Sequence, residues 1–196
     1  MSIERNAFHF DTLPVSPWRN GGGETREIFS FPVGATAFDW RASIATIAQD
    51  GPFSAFPGID RSITLLSGAG VHLFATGESS GEVDHLLSSP GEPFAFSGDT
   101  ALDSRLLADV TTDFNIMTRR GVCHSSVVAK RQSFALNTGL GGVLYVLSGQ
   151  WLLNGKPLAE PRGGVWWNSV SAADEQWQIS HEQGDGLLLW AAILPG

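Results

Sequence analysis

The hexapeptide Ile63-Thr64-Leu65-Leu66-Ser67-Gly68 decides how this chain is expected to fold, because a similar run occurs later in the sequence. That run is Leu144-Tyr145-Val146-Leu147-Ser148-Gly149, and from residue 63 to residue 144 the offset is 81 residues. Each run predicts a strand that ends at a Ser-Gly turn and continues into a hairpin partner. An aromatic strand follows in each half, Pro93-Phe94-Ala95-Phe96 and Val165-Trp166-Trp167. An all-strand repeat of this length predicts two similar β modules.

The composition favours an all-β chain with little helix. The 196 residues include Gly 23 and Pro 10, and 16% are charged, so turns are frequent and helix-forming runs are rare. The best helix candidate, residues 102–109, lacks a capping residue. The hydrophobic content of 42% and the seven Trp suffice for a sizeable core. The single cysteine allows no internal disulfide.

The charge pattern bears on partners and location. A net charge of −8 and no basic cluster longer than Arg119-Arg120 argue against nucleic acid as a direct partner. Arg greatly outnumbers Lys, which suits bidentate contacts to carboxylates and fits GC-rich coding equally well. No apolar run approaches the ~20 residues that a membrane helix needs. With no signal-peptide pattern at the start, a cytoplasmic protein without a membrane partner is expected.

The glycine-rich stretch Asn20-Gly21-Gly22-Gly23 is the most unusual local sequence. Consecutive glycines cost backbone entropy and are expected where φ is positive or where another group approaches the backbone closely. Trp18 and Arg19 precede the stretch, and Thr25 and Arg26 follow it, so an aromatic ring, two cations and hydrogen-bonding groups flank the glycines. Two interpretations stay open: a turn that enters a strand, or a nest of backbone N–H groups that binds an anion.

Two further runs alternate with a period of two residues, as strands do. In Phe38-Asp39-Trp40-Arg41-Ala42-Ser43-Ile44-Ala45, the side with Trp40 is expected to pack and Arg41 to lie on the opposite side. In Asp113-Phe114-Asn115-Ile116-Met117-Thr118-Arg119, Asn115 and Met117 share a polar side. Periodicity alone does not decide whether that side faces solvent or a cavity.

The order of these motifs resembles one bacterial family. The motifs are Pro17-Trp18-Arg19-Asn20-Gly21-Gly22-Gly23-Glu24-Thr25-Arg26-Glu27-Ile28, Trp40-Arg41-Ala42-Ser43-Ile44-Ala45, Asp50-Gly51-Pro52-Phe53-Ser54-Ala55-Phe56-Pro57-Gly58, Phe96-Ser97-Gly98-Asp99 and Asp113-Phe114-Asn115-Ile116-Met117-Thr118-Arg119. Their order resembles the HutD/Ves family, and the two Leu-Ser-Gly runs are similar to the central hairpins of cupin barrels. The resemblance implies a bicupin of the RmlC-like cupin superfamily, two jelly-roll barrels in one chain. Residues 1–120 are expected to form the N-terminal barrel and residues 121–196 the C-terminal one, with strands exchanged between them where pairing requires it.

The resemblance also implies a function. Members are associated with histidine utilisation and are thought to modulate it by sensing a small anionic metabolite, formylglutamate-like or urocanate-like. A binding protein is therefore expected rather than an enzyme. The alternative is a metal-independent isomerase or hydrolase of amino-acid catabolism. A homodimer is the default expectation for a cupin.

The candidate site is a set of binding residues, with no catalytic residue and no cofactor. The histidines form no His-x-His motif of the kind that metal-binding cupins use, so no metal is expected. Arginines would hold a carboxylate, polar groups would orient it, and aromatic rings, Phe56 among them, would wall the pocket. Each of these residues also has an ordinary role in packing or surface charge pairs. The predicted ligand-binding residues are Trp18, Asn20, Gly21, Gly22, Thr25, Arg26, Arg41, Phe53, Arg61 and Asn115.

Overall fold

The computed structural model describes residues 3–76, 83–169, 174–182 and 184–196. Within these ranges the chain is all β, apart from one short 3-10 turn at Phe10–Thr12, which confirms the predicted fold class. The described residues contain no helix with the length and hydrophobicity that crossing a membrane requires. The chain forms two compact units, one of which is Pro14–Val122. The other combines Cys123–Gly196 with the segment that ends at Leu13.

The strands follow one another with short connections, as the many glycine and proline turns predict. The first eleven are β1 (Asn6–His9), β2 (Val15–Pro17), β3 (Gly23–Phe31), β4 (Trp40–Ile47), β5 (Gly51–Phe53), β6 (Ile59–Ser67), β7 (Val71–Ala75), β8 (Asp84–Leu87), β9 (Pro93–Ser97), β10 (Leu102–Leu106) and β11 (Thr111–Arg119). The others are β12 (Cys123–Lys130), β13 (Phe134–Asn137), β14 (Gly141–Ser148), β15 (Trp151–Leu153), β16 (Lys156–Pro157), β17 (Gly163–Asn168), β18 (Gln176–His181) and β19 (Leu187–Pro195). The helix candidate at residues 102–109 is wrong, because β10 occupies its first five residues.

The N-terminal unit is a barrel of two antiparallel sheets. The larger sheet has the order β2-β3-β4-β11-β6-β9, and the smaller has the order β5-β10-β7-β8. Side chains from both sheets meet in one apolar cluster, which includes Ile47 and Leu65 of the larger sheet and Val71 and Leu73 of the smaller. These residues are fully buried and belong to the apolar core of this barrel.

The C-terminal unit repeats this arrangement. Its larger sheet has the order β1-β17-β14-β19-β12, and its smaller sheet has the order β13-β18-β15-β16. Tryptophan dominates its interior, since Trp151, Trp167 and Trp177 all belong to its apolar core. Strand β1 lies at the sheet edge, where Phe8 pairs with Gly164. Residues 3–13, which the sequence placed with the N-terminal barrel, therefore lie in the C-terminal unit, as exchange of a strand between the barrels allows.

Four strands of the larger sheet and all four of the smaller sheet match between the two units. The order β4-β11-β6-β9 corresponds to β12-β19-β14-β17, and β5-β10-β7-β8 corresponds to β13-β18-β15-β16. The two repeated hexapeptides end the equivalent strands β6 and β14, and Gly68 and Gly149 follow with positive φ. The expected hairpins are wrong, because the chain passes at each of these glycines from the larger sheet to the smaller one. The repeat itself is confirmed, and it belongs to two duplicated barrels.

Candidate ligand site in the N-terminal barrel

A cavity of about 460 Å³ lies inside the N-terminal barrel. Its wall includes seven of the ten predicted ligand-binding residues: Trp18, Asn20, Thr25, Arg41, Phe53, Arg61 and Asn115. Phe56 and Met117 also line it. Gly21, Gly22 and Arg26 do not contribute to the wall. Their role in binding, like that of the other seven, remains a prediction.

The period of two places the polar side chains in this wall. Strand β11 is central in the larger sheet, where Met117 lies opposite Arg41 of β4 and opposite Arg61 of β6. Asn115, two residues away on the same side of β11, lies opposite Ser43. The polar side of β11 therefore faces the cavity rather than solvent, which settles the question that periodicity left open.

Arg61 is the most deeply placed cation of the wall, with 5% of its surface exposed. Its Nη1 donates a hydrogen bond to the carbonyl oxygen of Ser54 at 3.0 Å. Its guanidinium carbon lies 4.7, 5.2 and 5.1 Å from the ring centroids of Phe53, Phe56 and Phe96, within cation–π range. Its Nε is buried without a hydrogen-bond partner among the described residues. Burial lowers the pKa of Arg61 to about 10, so it remains a cation at neutral pH.

Two other polar groups in the wall are incompletely satisfied. Asn115 is 4% exposed, and its Oδ1 has no hydrogen-bond partner in the described part of the chain. Arg41 Nε lies 2.8 Å from Glu27 Oε2, but without the alignment of a hydrogen bond. Buried polar groups left unpaired are costly and rare in folded proteins. Together with Arg61 they form a positively charged, hydrogen-bonding wall.

Trp18, Asn20 and Thr25 form the rim of the cavity, and each of them is held by a local hydrogen bond. Trp18 Nε1 donates to Thr25 Oγ1 at 2.8 Å, which fixes the indole ring. Asn20 Oδ1 accepts a hydrogen bond from the backbone N–H of Gly22 at 2.9 Å. The rim is therefore shaped before any ligand arrives, which lowers the entropic cost of binding.

The glycines build this rim and leave little N–H capacity for an anion. The N–H of Gly21 donates to the carbonyl oxygen of Trp18 at 3.0 Å, and that of Gly22 is taken by Asn20. A Cβ on Gly23 would collide with the carbonyl oxygen of Thr46 and press on the ring of Trp18. Of the two open interpretations, the geometry favours the close-packed turn over the nest.

Arg26 lies away from the cavity. It pairs in register with Ile44, whose side chain lies on the side of β4 opposite Ser43, and its Nη2 lies 3.1 Å from Glu24 Oε1. The structure adds wall residues that are outside the predicted set, and they include Arg19, Ser43 and Ser54. The alternation of β4 that placed Arg41 also places Ser43, so that residue could have been found. Arg19 and Ser54 lie outside the strands, where no periodic signal exists.

The sequence also did not predict that Asp113 is buried inside the barrel. It shares the polar side of β11 with Asn115 but lies beyond the wall, beside Leu65, and it is fully buried. Neither of its carboxylate oxygens has a hydrogen-bond partner among the described residues. Burial raises the pKa of Asp113 to about 7, although the positive charge of Arg61 opposes this shift.

The duplicated barrel provides an internal comparison. Aligning the two hexapeptides makes Gly142 equivalent to Arg61. Through the strand registers, Trp190 is equivalent to Asn115 and Leu188 to Asp113. The absence of a Cβ at Gly142 leaves room for the ring of Trp167. The cavity at Trp190 measures about 350 Å³, and none of the wall residues that the structure describes is charged. The barrel can therefore fold without the ionic groups of the first cavity.

The fold of the chain defines its class among known proteins. Two duplicated jelly-roll barrels define a bicupin. An oxalate decarboxylase from Lactobacillus farciminis, determined as a formate complex, has this fold with a TM-score of 0.66. The alignment covers 100% of this chain and 87% of that one, and the identity of 6% shows similarity of fold alone.

The family follows from sequence. The HutD family model matches residues 11–183. Protein Ves of Escherichia fergusonii is 41% identical over 192 residues, which cover 96% of this chain and 95% of that protein. The structure of HutD from Pseudomonas fluorescens SBW25 is 26% identical with a TM-score of 0.82, and the alignment covers 98% and 100% of the two chains. The chain belongs to the HutD family, as its motif order predicted.

The cavity does not fit the metal that many cupins carry. No three His, Cys, Asp or Glu side chains come together as a metal-binding group in the ranges that the structure describes. The wall instead presents guanidinium groups, an amide and hydroxyls. Divalent cations prefer carboxylate, imidazole or thiolate ligands, whereas guanidinium groups attract anions.

Proposed function

We propose that this protein binds a small organic anion in the N-terminal barrel and that this binding modulates histidine utilisation. The observation that carries the proposal is Arg61, a buried guanidinium in a cavity wall with a nitrogen left unpaired. A carboxylate is the natural partner, because charge-assisted hydrogen bonds to guanidinium groups are about twice as strong as neutral ones. Gly142 replaces this arginine in the second barrel, so packing alone does not account for it.

The wall suggests the form of the ligand. A carboxylate would bind at Arg61, a donor group would satisfy Asn115 Oδ1, and an apolar or planar part would pack on Phe53 and Phe56. The volume of about 460 Å³ suits a metabolite-sized molecule. A formylglutamate-like or urocanate-like compound has such a carboxylate. HutD of P. fluorescens was determined in a formate condition, and formate is the smallest carboxylate.

The wall composition favours binding over turnover. Among the described residues, those that line the cavity include no Asp, Glu, His, Cys or Lys side chain. General acid–base and nucleophilic catalysis depend mainly on such groups. A ligand in the cavity would lie against the preformed rim at Trp18 and Asn20 and would become part of this surface, which the next component of the pathway would recognise.

Separate substitutions of two arginines test the assignment of the ligand site. Thermal unfolding is measured with formate, benzoate, urocanate and N-formylglutamate for the wild type, Arg61→Met and Arg26→Met. We expect anion-dependent stabilisation in the wild type and in R26M, since Arg26 lies outside the cavity. In R61M we expect this stabilisation to disappear, because the buried cation of the wall is gone.

Stabilisation of R61M equal to that of the wild type would refute the assignment of the site. If the protein consumed one of these compounds and substitution of the wall residues left that consumption unchanged, the assignment of the site would be refuted as well. Consumption that R61M abolishes would instead identify the metal-independent enzyme of the alternative interpretation.

A further inference from the structure

One acidic side chain inside the N-terminal barrel has no part in the wall. Asp113 is fully buried, and neither of its oxygens is hydrogen-bonded within the described residues. The register places it beside Ala45 and Leu65, which are both buried and apolar. The equivalent residue in the second barrel is Leu188. An acid at this position is therefore not a requirement of the fold.

Few charged side chains of the described residues face Asp113. The strands beside β11 contribute Arg61 from β6 and Arg41 from β4, and Arg41 is already close to Glu27. On the interior side of the smaller sheet, His85 pairs in register with Leu73 but stacks on Phe94. The other titratable groups of that sheet alternate with its buried residues and point outward; they are His72, Asp84, Asp103 and Arg105. Arg61 is therefore the charge that balances Asp113.

We infer that Asp113 takes up one proton from solvent when an anion binds in the cavity, an inference that rests on the proposed function. In the empty barrel, Arg61 balances Asp113 while Glu27 balances Arg41. An incoming carboxylate competes for Arg61 and adds a second negative charge to a water-poor interior. Protonation of the Asp113 carboxylate removes this excess, and the solvent or buffer supplies the proton.

The sign of the linkage follows from the burial of Asp113. Its pKa of about 7 in the empty barrel is raised further by a bound anion, because like charges disfavour each other. Below pH 7 the carboxyl is already protonated, so affinity is at its highest and nearly constant. Above about pH 7 each binding event needs a proton, so affinity falls by at most about tenfold per pH unit.

Benzoate is a suitable probe, because it stays ionised throughout the relevant range. Its affinity is measured by calorimetry between about pH 6 and pH 8.5 at constant chloride concentration. The variants are Asp113→Asn, Asp103→Asn as an outward-facing control, and His85→Asn to exclude the interior imidazole. We expect a loss of about three- to tenfold above pH 7 in the wild type, D103N and H85N, and a flat profile in D113N.

The outcomes separate this inference from the proposed function. A flat wild-type profile with binding that R61M abolishes overturns the proton uptake alone. A wild-type slope that persists in D113N, or that disappears in H85N, overturns it as well. Absence of Arg61-dependent binding at every pH overturns both proposals.

Where D113N does not fold, the wild-type protein supplies a direct measurement. The carboxyl ¹³C shift of Asp113 is followed against pH with and without benzoate. If benzoate raises the pH at the midpoint of this titration, the uptake of a proton by Asp113 is supported. If the midpoint pH is the same with and without benzoate, the inference is overturned.

Discussion

Arg61 and Asp113 place opposite charges in a barrel interior that does not need either of them. Their equivalents in the second barrel, Gly142 and Leu188, leave that interior to tryptophan and leucine. Moving a charge from water into a protein interior costs several kcal/mol unless its partners compensate. Asp113 lacks hydrogen bonds within the described residues, so its compensation is incomplete. Two residues that lower stability in one of two duplicated barrels point to a functional role.

Asp113→Asn should stabilise the protein at alkaline pH. Burial raises the pKa of Asp113 to about 7, against about 3.9 in an unfolded chain. The folded state then binds more protons than the unfolded state, so wild-type stability falls as pH rises from about 4 to about 7. Above pH 7 the free energy of unfolding of D113N should exceed that of the wild type by up to about 4 kcal/mol. Below about pH 4 this difference should disappear.

Urea unfolding of both proteins at about pH 5 and pH 8 measures this difference. The control is D103N, whose side chain points out of the barrel and should give no pH-dependent gain. Equal free energies of unfolding for D113N and the wild type at the higher pH would show that folding does not raise the pKa of Asp113.

At the scale of elements, the β2–β3 hairpin explains the three glycines. Its carbonyl at Gly22 accepts hydrogen bonds from the N–H groups of Ala48 and Gln49, just beyond β4, at 2.8 and 3.2 Å. Gly23 lies so close to β4 that a side chain has no room there. The hairpin is thereby fastened to the larger sheet, and Trp18 is held over the cavity.

Gly23→Ala and Gly21→Ala should differ for this reason. The Cβ of G23A has to displace the backbone or Trp18, so we expect a loss of roughly 1–3 kcal/mol and weaker benzoate binding. Gly21 has a φ of +72° with open space around it, so G21A should cost only about 1 kcal/mol of backbone strain and keep its binding.

Gly34→Ala serves as the matched control, because Gly34 has a φ of +75° and is equally open. Unfolding midpoints and benzoate-induced thermal shifts are measured for all three variants. If G23A behaved like G34A in both measurements, the close contact with β4 would have no structural importance.

Strand β11 shows how much of the site can be predicted from the sequence. Its alternation correctly separated Asn115 and Met117 from Phe114, and it supplied the polar side of the site. What faces that side depends on how the smaller sheet closes the barrel, and such long-range packing leaves no local signal. The prediction of a helix at residues 102–109 was wrong for a similar reason. Leu102 of β10 is buried by pairing with Phe53 and Ala75, and this long-range pairing overrides the weak local propensity for helix.

At the scale of the whole molecule, the sequence revealed the duplication but not the assignment of its first strand. The 81-residue offset between residues 63 and 144 marks equivalent strands directly. The first strand, β1, has no counterpart in the repeat and pairs with β17, from Asn6 opposite Trp166 to His9 opposite Gly163. Nothing within residues 6–9 specifies a partner so distant along the chain.

Phe8→Ala should therefore weaken the C-terminal unit. Phe8 stacks on Tyr145 with ring centroids 6.2 Å apart and pairs with Gly164. Removal of this half-buried ring should cost roughly 1–2 kcal/mol. Hydrogen exchange should speed up in β17, while the amides of β9, the equivalent strand of the other unit, keep their wild-type rates. Faster exchange in β9 with an unchanged β17 would contradict the assignment of β1.

The pairing of β1 with β17 has a consequence for the order of events during synthesis. The ribosome makes β1 before its partner strand, residues 163–168, and completes that partner only after the whole of the Pro14–Val122 segment. At roughly 5–20 residues per second, the first strand waits several seconds in an unpaired state. The segment Pro14–Val122 emerges complete in that interval and can fold while its neighbour is still being made. Strand β1 is thus synthesised before the Pro14–Val122 segment but can pair only after it.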